Sequence, residues 1–201
     1  MSPHEKNCPP LPRLEASSWL RRRENFYESR LGPLREPSVY HWNEPTDPHV
    51  DVYALGTTPA PTLITGGAAD RPQPRIRAGE FARRIELLMC VAEIEPWAAS
   101  ALRSIALVPF VHDMVLGPGS LIRGTGPVRP GAALHHAFLV SEPATTGLGG
   151  FVVEGEEVVF LRVLFIAEAE FDLGVAAGPE VLVRALGPAA KVVDPSRAPV
   201  V

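Results

Sequence analysis

HVDVYALGTTPAPTLITGG, residues 49–67, is the strongest strand signal in this 201-residue chain. Its first half alternates: Val50, Val52 and Ala54 fall on one face, and His49, Asp51 and Tyr53 on the other. That period of two predicts a strand half-buried on a core. The Pro-Ala-Pro segment at 59–61 forces an extended or turn conformation, and Thr62–Thr65 resumes as a short apolar strand that ends at Gly66-Gly67.

Working outward, Val39–Trp42 reads as a short strand leading into this pair. Before it, Leu14–Leu31 carries Leu20, Tyr27 and Leu31 at helical spacing with Trp19 and Phe26 beside them, an amphipathic helix stopped by Gly32-Pro33. Arg21–Arg23 are expected on its solvated surface. Residues 1–13, rich in proline, are expected to form a leader that is disordered or runs over the surface, with an ordered domain over 14–197. Downstream, Arg84–Ala92 is a nearly continuous apolar run of strand length, as a central strand covered on both faces requires. Glu95-Pro96 opens a helix whose buried face is predicted to be Trp97, Ala101, Ile105 and Val108. Gly117-Pro118-Gly119 marks a turn before Leu121-Ile122, and Leu134–Val140 is a strand. Phe151–Val153 and Val158–Ile166 are predicted to form a hairpin through Glu154-Gly155. Pro179 starts a helix that turns Leu182 and Leu186 inward, and Gly187-Pro188 ends it. Strands and helices interleave without a dividing linker, so the fold class is α+β: a mixed central β-sheet flanked by α-helices, in a single domain.

Composition narrows the function. The net charge is −4, with 17 of 19 basic residues being Arg, and no basic footprint for nucleic acid stands out. No run approaches the roughly 20 apolar residues of a membrane span, no signal pattern opens the chain, and two cysteines, Cys8 and Cys90, suit a reducing compartment. Cytoplasm is the default, and neither a nucleic acid nor a membrane is an expected partner. Acidity is local: seven acids against Arg162 alone between residues 154 and 180, where a solvated face or a surface that steers a basic partner are the readings.

Catalytic chemistry finds little footing. His49 with Asp51, His112 with Asp113, and the pair His135-His136 are candidate acid/base or metal-ligating residues, yet no HExxH or CxxC pattern is present. Neighbours in a strand also face opposite ways, which separates His135 from His136. There is no GxSxG elbow, and Cys90 lies in a strand expected to be buried. The glycine-rich stretches TGGAADRP and GTGPVRPG lack the GK[ST] ending of a phosphate cradle and read as turns. No cofactor, no metal and no catalytic residue is assigned.

Taken in order, HVDVY, TLITGG, RRIELLMCV, PWAASALRSIALVPF, LGPGSLI, HHAFLVSEP, EEVVFLRVLFIAEAEF, GPEVLVRAL and VVDPSR resemble the Suppressor of fused family, specifically its N-terminal, bacterial-type domain. The resemblance covers about residues 39–197, and the ordered set is more specific than any one motif. The loop at 68–80 departs from the family. The animal homologue is a two-lobed clamp that binds a transcription-factor peptide as an added strand between its lobes. This chain's length suggests one lobe, so that partner is not carried over. The resemblance implies a non-catalytic protein-binding domain and, for the bacterial type, an immunity protein neutralising a polymorphic toxin. The competing readings are a metal-dependent or hydrolytic enzyme using His49, Asp51, His112 or Asp113, and a structural subunit of an assembly.

The residues expected to bind a partner are His49, Asp51, Thr65 and Gly67, together with Glu168, Glu170 and Asp172 of the acidic stretch. His49 and Asp51 are expected to lie beside Thr65–Gly67 on a shared edge of the sheet, with no metal between them.

Overall fold

The structure is a computed structural model that describes residues 18–41, 46–56, 61–74, 84–142, 147–187 and 193–201, apart from the side chains of 18–19 and 36–38. The proline-rich leader, Cys8, Trp42 and the Trp19 side chain lie outside the described residues. The described elements are α1 (Ser18–Leu31), β1 (Leu34–Tyr40), β2 (Asp51–Leu55), β3 (Thr62–Gly66), β4 (Arg84–Cys90), α2 (Pro96–His112), β5 (Leu121–Ile122), β6 (His136–Ser141), β7 (Val152–Val153), β8 (Glu156–Ile166), α3 (Glu168–Ala177) and α4 (Pro179–Leu186). A 3-10 turn, Ala68–Asp70, follows β3.

Seven strands lie side by side in the order β1-β2-β3-β4-β8-β6-β5, and β7 pairs with the start of β8 as a hairpin. All neighbours are antiparallel except β4 and β8, which makes the sheet mixed. The hairpin turn has positive φ at both Glu154 and Gly155, the conformation whose twist matches its strands. β1 is an edge strand with a break in register between Leu34 and Val39, a position that tolerates Pro37.

Helices cover both faces. On one, Ala98, Ala99, Leu102, Ile105 and Ala106 of α2 pack over Val52, Ala54, Leu63, Ile85, Leu87 and Met89. On the other, Tyr27 of α1 packs with Tyr53, Leu55, Ile64, Leu88 and Phe160, and Phe171, Leu182 and Leu186 of α3 and α4 pack on Phe138, Leu164 and Ile166. Each fully buried Leu or Phe in these layers contributes roughly 1.5–3 kcal/mol.

This layering corrects three expectations. β2 is buried at every position rather than on one face, because α1 closes over the side that carries Asp51, Tyr53 and Leu55. The buried stripe of α2 runs through Ala98, Leu102, Ile105, Ala106 and Pro109, with Trp97, Ala101 and Val108 only partly covered. Small residues at 98, 99 and 106 let the helix approach the sheet closely, which turns the larger Trp97 to the flank. Arg21 and Arg22 are solvated as expected, but Arg23 is 3 % exposed. It lies one helical turn before Tyr27 and shares its inward face.

The segment after β3 is pinned by a residue that pattern reading passes over. Gln73, buried, donates its side-chain amide to the Leu116 carbonyl (2.9 Å) and accepts from the Leu116 N–H (2.7 Å), so one amide stands in for a strand partner. Gln73→Ala leaves both backbone groups of buried Leu116 unpaired, and a loss of about 1–3 kcal/mol in urea-unfolding free energy is expected.

Candidate protein-binding surface

The turn TGGAAD is organised by Glu86, which faces α1 from the middle of the sheet and is fully buried. Beyond Ile64–Leu88 the β3–β4 ladder stops, and the Thr65 hydroxyl takes over: it accepts from the Leu87 N–H (2.8 Å) and donates to Glu86 Oε2 (2.6 Å). Glu86 Oε1 accepts from the N–H groups of Gly67 (3.0 Å) and Ala69 (3.2 Å), at the start of the 3-10 turn. Tyr27 donates to the Thr65 carbonyl (3.0 Å), Arg23 pairs with Asp70, and Arg84 donates to the carbonyls of Ala69 and Asp70 (both 2.9 Å). Gly67 has φ +112°, and a Cβ there would collide with the His49 carbonyl, which explains the glycine. Burial pushes the Glu86 carboxyl up to about 7, against the opposing pull of Arg23 and the three hydrogen bonds.

Thr65 and Gly67, both nominated as partner-binding, are therefore sealed inside this network. Asp51 pairs with Gly66 across the β2–β3 ladder, so the expected neighbourhood forms. It is not an edge, however: β1 flanks β2 and β4 flanks β3. Asp51 Oδ1 contacts the exposed rings of His41 (Nδ1, 3.0 Å) and His49 (Nε2, 3.2 Å), so His49 lies at the surface where β2 begins and covers the buried Asp51.

The acidic trio is likewise divided by its contacts. Glu170 is fully buried: Arg197 forks onto both its oxygens (2.7 Å each), and the N–H groups of Ala167 and Val200 donate to it (2.8 Å each). Glu168 accepts from Arg123 (2.6 Å) and from His136 Nε2 (2.7 Å), while Asp172 stays exposed, 3.9 Å from Arg123. Glu154 and Glu156 both pair with Arg84. Arg84, Arg123 and Arg197 thus engage five of the seven acids of the stretch, and among the described residues Glu157 and Glu180 join no ion pair.

Strand register separates the two nominated clusters. Asp51 is level with Glu86 and Phe160, and six residues of β8 separate Phe160 from Ile166, roughly 20 Å along the strand. His49 and Asp51 sit at one end of the sheet, Glu168 and Asp172 at the other, so they form no single site. Nor do the histidines assemble catalytic geometry. His136 Nδ1 accepts from the Gly124 N–H (3.0 Å) while Nε2 faces Glu168, so both ring nitrogens are engaged in holding a loop. Among the described residues no hydrogen bond or ion pair joins His112 or Asp113 to His49 or Asp51, and no group of three His, Cys, Asp or Glu is arranged to hold a metal ion. No described helix is long and apolar enough to cross a membrane.

Among the described residues, no strand pairs with the outer edge of β6 beyond β5. β5 is two residues long, and its cover of β6 ends where Leu139 exchanges hydrogen bonds with Gly119 and Ser120. Glu142 donates to Phe160 on the inner side, so alternation turns the Ser141 N–H and C=O outward, past the start of β5. Beside this point, β6 and α4 enclose a mainly apolar groove of about 550 Å³ in which Phe138, Val140, Pro179 and Val183 are joined by the charged Glu180 and Arg184. Val183 is 41 % exposed, off the Leu182–Leu186 stripe that anchors α4. Sequence reasoning missed Ser141 and Val183; the available signal was a valine outside the helix's core stripe.

A single-domain α+β protein, built round a mixed sheet whose outer edge at Ser141 no described strand pairs, beside a mainly apolar groove, is the class these observations define. Residues 46–198 match the family described as "Suppressor of fused protein (SUFU)", and the chain belongs to that family. Solved structures share the fold. A Sufu-Fu complex has a TM-score of 0.65 at 15 % identity over 90 % of this chain and 89 % of that one. A SUFU homologue from Neisseria gonorrhoeae FA 1090 has a TM-score of 0.63 at 15 % identity, over 90 % and 94 %. Drosophila Suppressor of Fused has a TM-score of 0.59 at 14 % identity, and the match spans 75 % of this chain but 42 % of that protein. No curated protein matches the sequence.

Proposed function

We propose that this chain is a non-catalytic protein-binding domain that takes an extended segment of a partner protein against the outer edge of β6. The carrying observation is the outward-turned Ser141 peptide beside the Val140–Val183 groove, which supplies backbone pairing and an apolar side-chain pocket together. Family membership and the likeness to a Sufu-Fu complex support a protein as the partner. The specific form we put forward is an immunity protein whose partner is a toxin made by the same cell. The bacterial-type resemblance and the bacterial SUFU homologue of matching length support it.

Pull-down with the product of the adjacent gene, followed by competition with its fragments, tests the reading. Ser141→Pro removes an outward N–H and leaves the β6–β8 bonds in place, because residues 140 and 142 make them. Capture is expected to fall at least tenfold in Ser141→Pro and in Val183→Asp while unfolding free energy changes by less than about 1 kcal/mol. Undiminished capture by both variants excludes this edge. If the captured protein does not arrest growth when expressed alone, the immunity form is wrong and the binding reading stands.

A further inference from the structure

Residues 123–135 join β5 to β6, and their GTGPVRPG stretch is an anchored loop. Val128 donates to the Leu134 carbonyl (3.0 Å), and Arg129 reaches Glu95 beside the start of α2 (3.1 Å). The third anchor is an imidazole: the Gly124 N–H donates to His136 Nδ1 (3.0 Å). The chain passes close here, since a Cβ at Gly124 would collide with the His135 carbonyl. Gly124, Thr125 and Val128 line one wall of a space of about 470 Å³ against the flank of α2.

The Gly124 bond fixes the protonation of a buried ring. A nitrogen that accepts an N–H must present its lone pair, so Nδ1 carries no proton. The ring's one proton sits on Nε2, which donates to Glu168 Oε2 (2.7 Å). His136 is 2 % exposed and lies against Phe171 with ring centres 4.7 Å apart, packing that resists a flip exchanging the two nitrogens. A second proton can therefore go only to Nδ1, where it meets the Gly124 N–H: two donors and no acceptor. The imidazolium keeps its bond to Glu168, now charge-assisted, and the bond to Gly124 is the one that breaks. The charged and titratable groups around the ring are Glu168 of α3, Arg123 on the other oxygen of Glu168 (2.6 Å), Asp172 at 3.9 Å from Arg123, and His135, whose ring centre is 6.0 Å away. The other two anchors of the loop use a backbone carbonyl and an arginine–carboxylate pair, so only the Gly124 anchor depends on an imidazole.

We propose that His136 is a proton-operated latch on the 123–135 loop: its neutral ring holds Gly124, and its doubly protonated ring releases Gly124 and loosens one wall of the space beside α2.

NMR of the full ¹⁵N-labelled chain tests this from about pH 8 to about pH 5, the interval in which histidine ordinarily changes charge. At the alkaline end, long-range ¹H–¹⁵N spectra should show His136 with Nε2 protonated and Nδ1 bare. On acidification, protection of the Gly124 amide against hydrogen exchange, taken relative to the unstructured rate at each pH, should fall about tenfold or more. Its midpoint should coincide with that of the His136 ring signals. Protection at Val128, whose acceptor does not change, should move by less than about threefold. His136→Asn places an amide oxygen near the position of Nδ1 and does not titrate, so Gly124 should stay protected throughout. His135→Asn should keep the wild-type response. Glu168→Gln removes the carboxylate that pairs with the imidazolium and should move the midpoint to lower pH. The proposal fails if Nδ1 carries a proton at the alkaline end, if His136 does not titrate within the interval, if Gly124 protection stays level while His136 titrates, or if His136→Asn loses protection as the wild type does. Should His136→Asn not fold, the coincidence of the two wild-type midpoints and the response of His135→Asn decide. No protein partner enters this test, so its failure leaves the strand-edge reading untouched.

Discussion

Glu86→Ala is expected to lower the free energy of unfolding by about 2–5 kcal/mol, because it leaves buried donors without their acceptor. The loss has two sources. The N–H groups of Gly67 and Ala69 lose their acceptor inside the protein, and the buried Arg23 guanidinium loses a nearby counter-charge. Glu86→Gln keeps one acceptor oxygen and the side-chain volume, so a smaller loss is expected. Urea unfolding followed by circular dichroism separates the two variants from the wild type. pH gives a second readout. Because burial raises the folded-state carboxyl from 4.5 to about 7, the folded protein holds this proton more tightly than the unfolded chain. The resulting stabilisation is full below about pH 4.5 and is lost as pH rises through about 7. The difference in stability between wild type and Glu86→Gln should therefore change across pH 4.5–7 and level off above it. A difference that stays flat over that window would show that Glu86 does not titrate there.

Glu170→Ala should be nearly as costly, at about 3 kcal/mol or more, and it should release the C-terminal segment. This carboxylate ties Arg197 and Val200 to the start of α3, and Arg197 also donates to the Phe165 carbonyl at the end of β8 (2.9 Å). Removing it strands a guanidinium that is 12 % exposed and two backbone donors. Hydrogen exchange is expected to rise at Val200 and over the first turn of α3, and hardly at all around Glu86 at the other end of the sheet. Here the pH sign is opposite. Burial works to raise the Glu170 carboxyl, but Arg197 and the Ala167 and Val200 N–H groups outweigh it and hold it below the ordinary value. Its stabilisation is present above about pH 4.5 and is lost as pH falls through the lowered value. A Glu170→Ala protein with unchanged exchange at Val200 would contradict this account.

Both residues stood in plain view in the sequence, in stretches already marked as important. Glu86 sits in the apolar run RIELLMC, where one acid among hydrophobic residues is itself a signal of a satisfied buried carboxylate. Glu170 was grouped with Glu168 and Asp172 as surface acidity because a count of charges does not distinguish an acid that faces water from one that faces Arg197. In an α-helix, residues 168 and 172 lie one turn apart on the same face, where both meet Arg123, whereas 170 points to the other side and is buried against Arg197. Arg23 was misplaced for a related reason: a run of three arginines reads as one face, though consecutive helical residues cannot share one.

Sequence alone carries the first helix, the strand pair after it, the central position of β4, the helix at Pro96, the Glu154-Gly155 hairpin, the start of α4 at Pro179 and the family, but not the helix α3 between β8 and α4. These depend on local chemistry: apolar periodicity, the fixed φ of proline, the freedom of glycine at positive φ, and the order of motifs along the chain. Only the tertiary structure decided which strands stand side by side and which polar groups are used up in doing so. It joined β4 to β8, whose paired residues lie 74 apart in the chain, buried Thr65, Gly67 and Glu170 among their partners, and turned the Ser141 edge outward beside a groove. Whether a side chain is free to bind depends on what reaches it from distant parts of the chain, and spacing along the sequence carries no record of that.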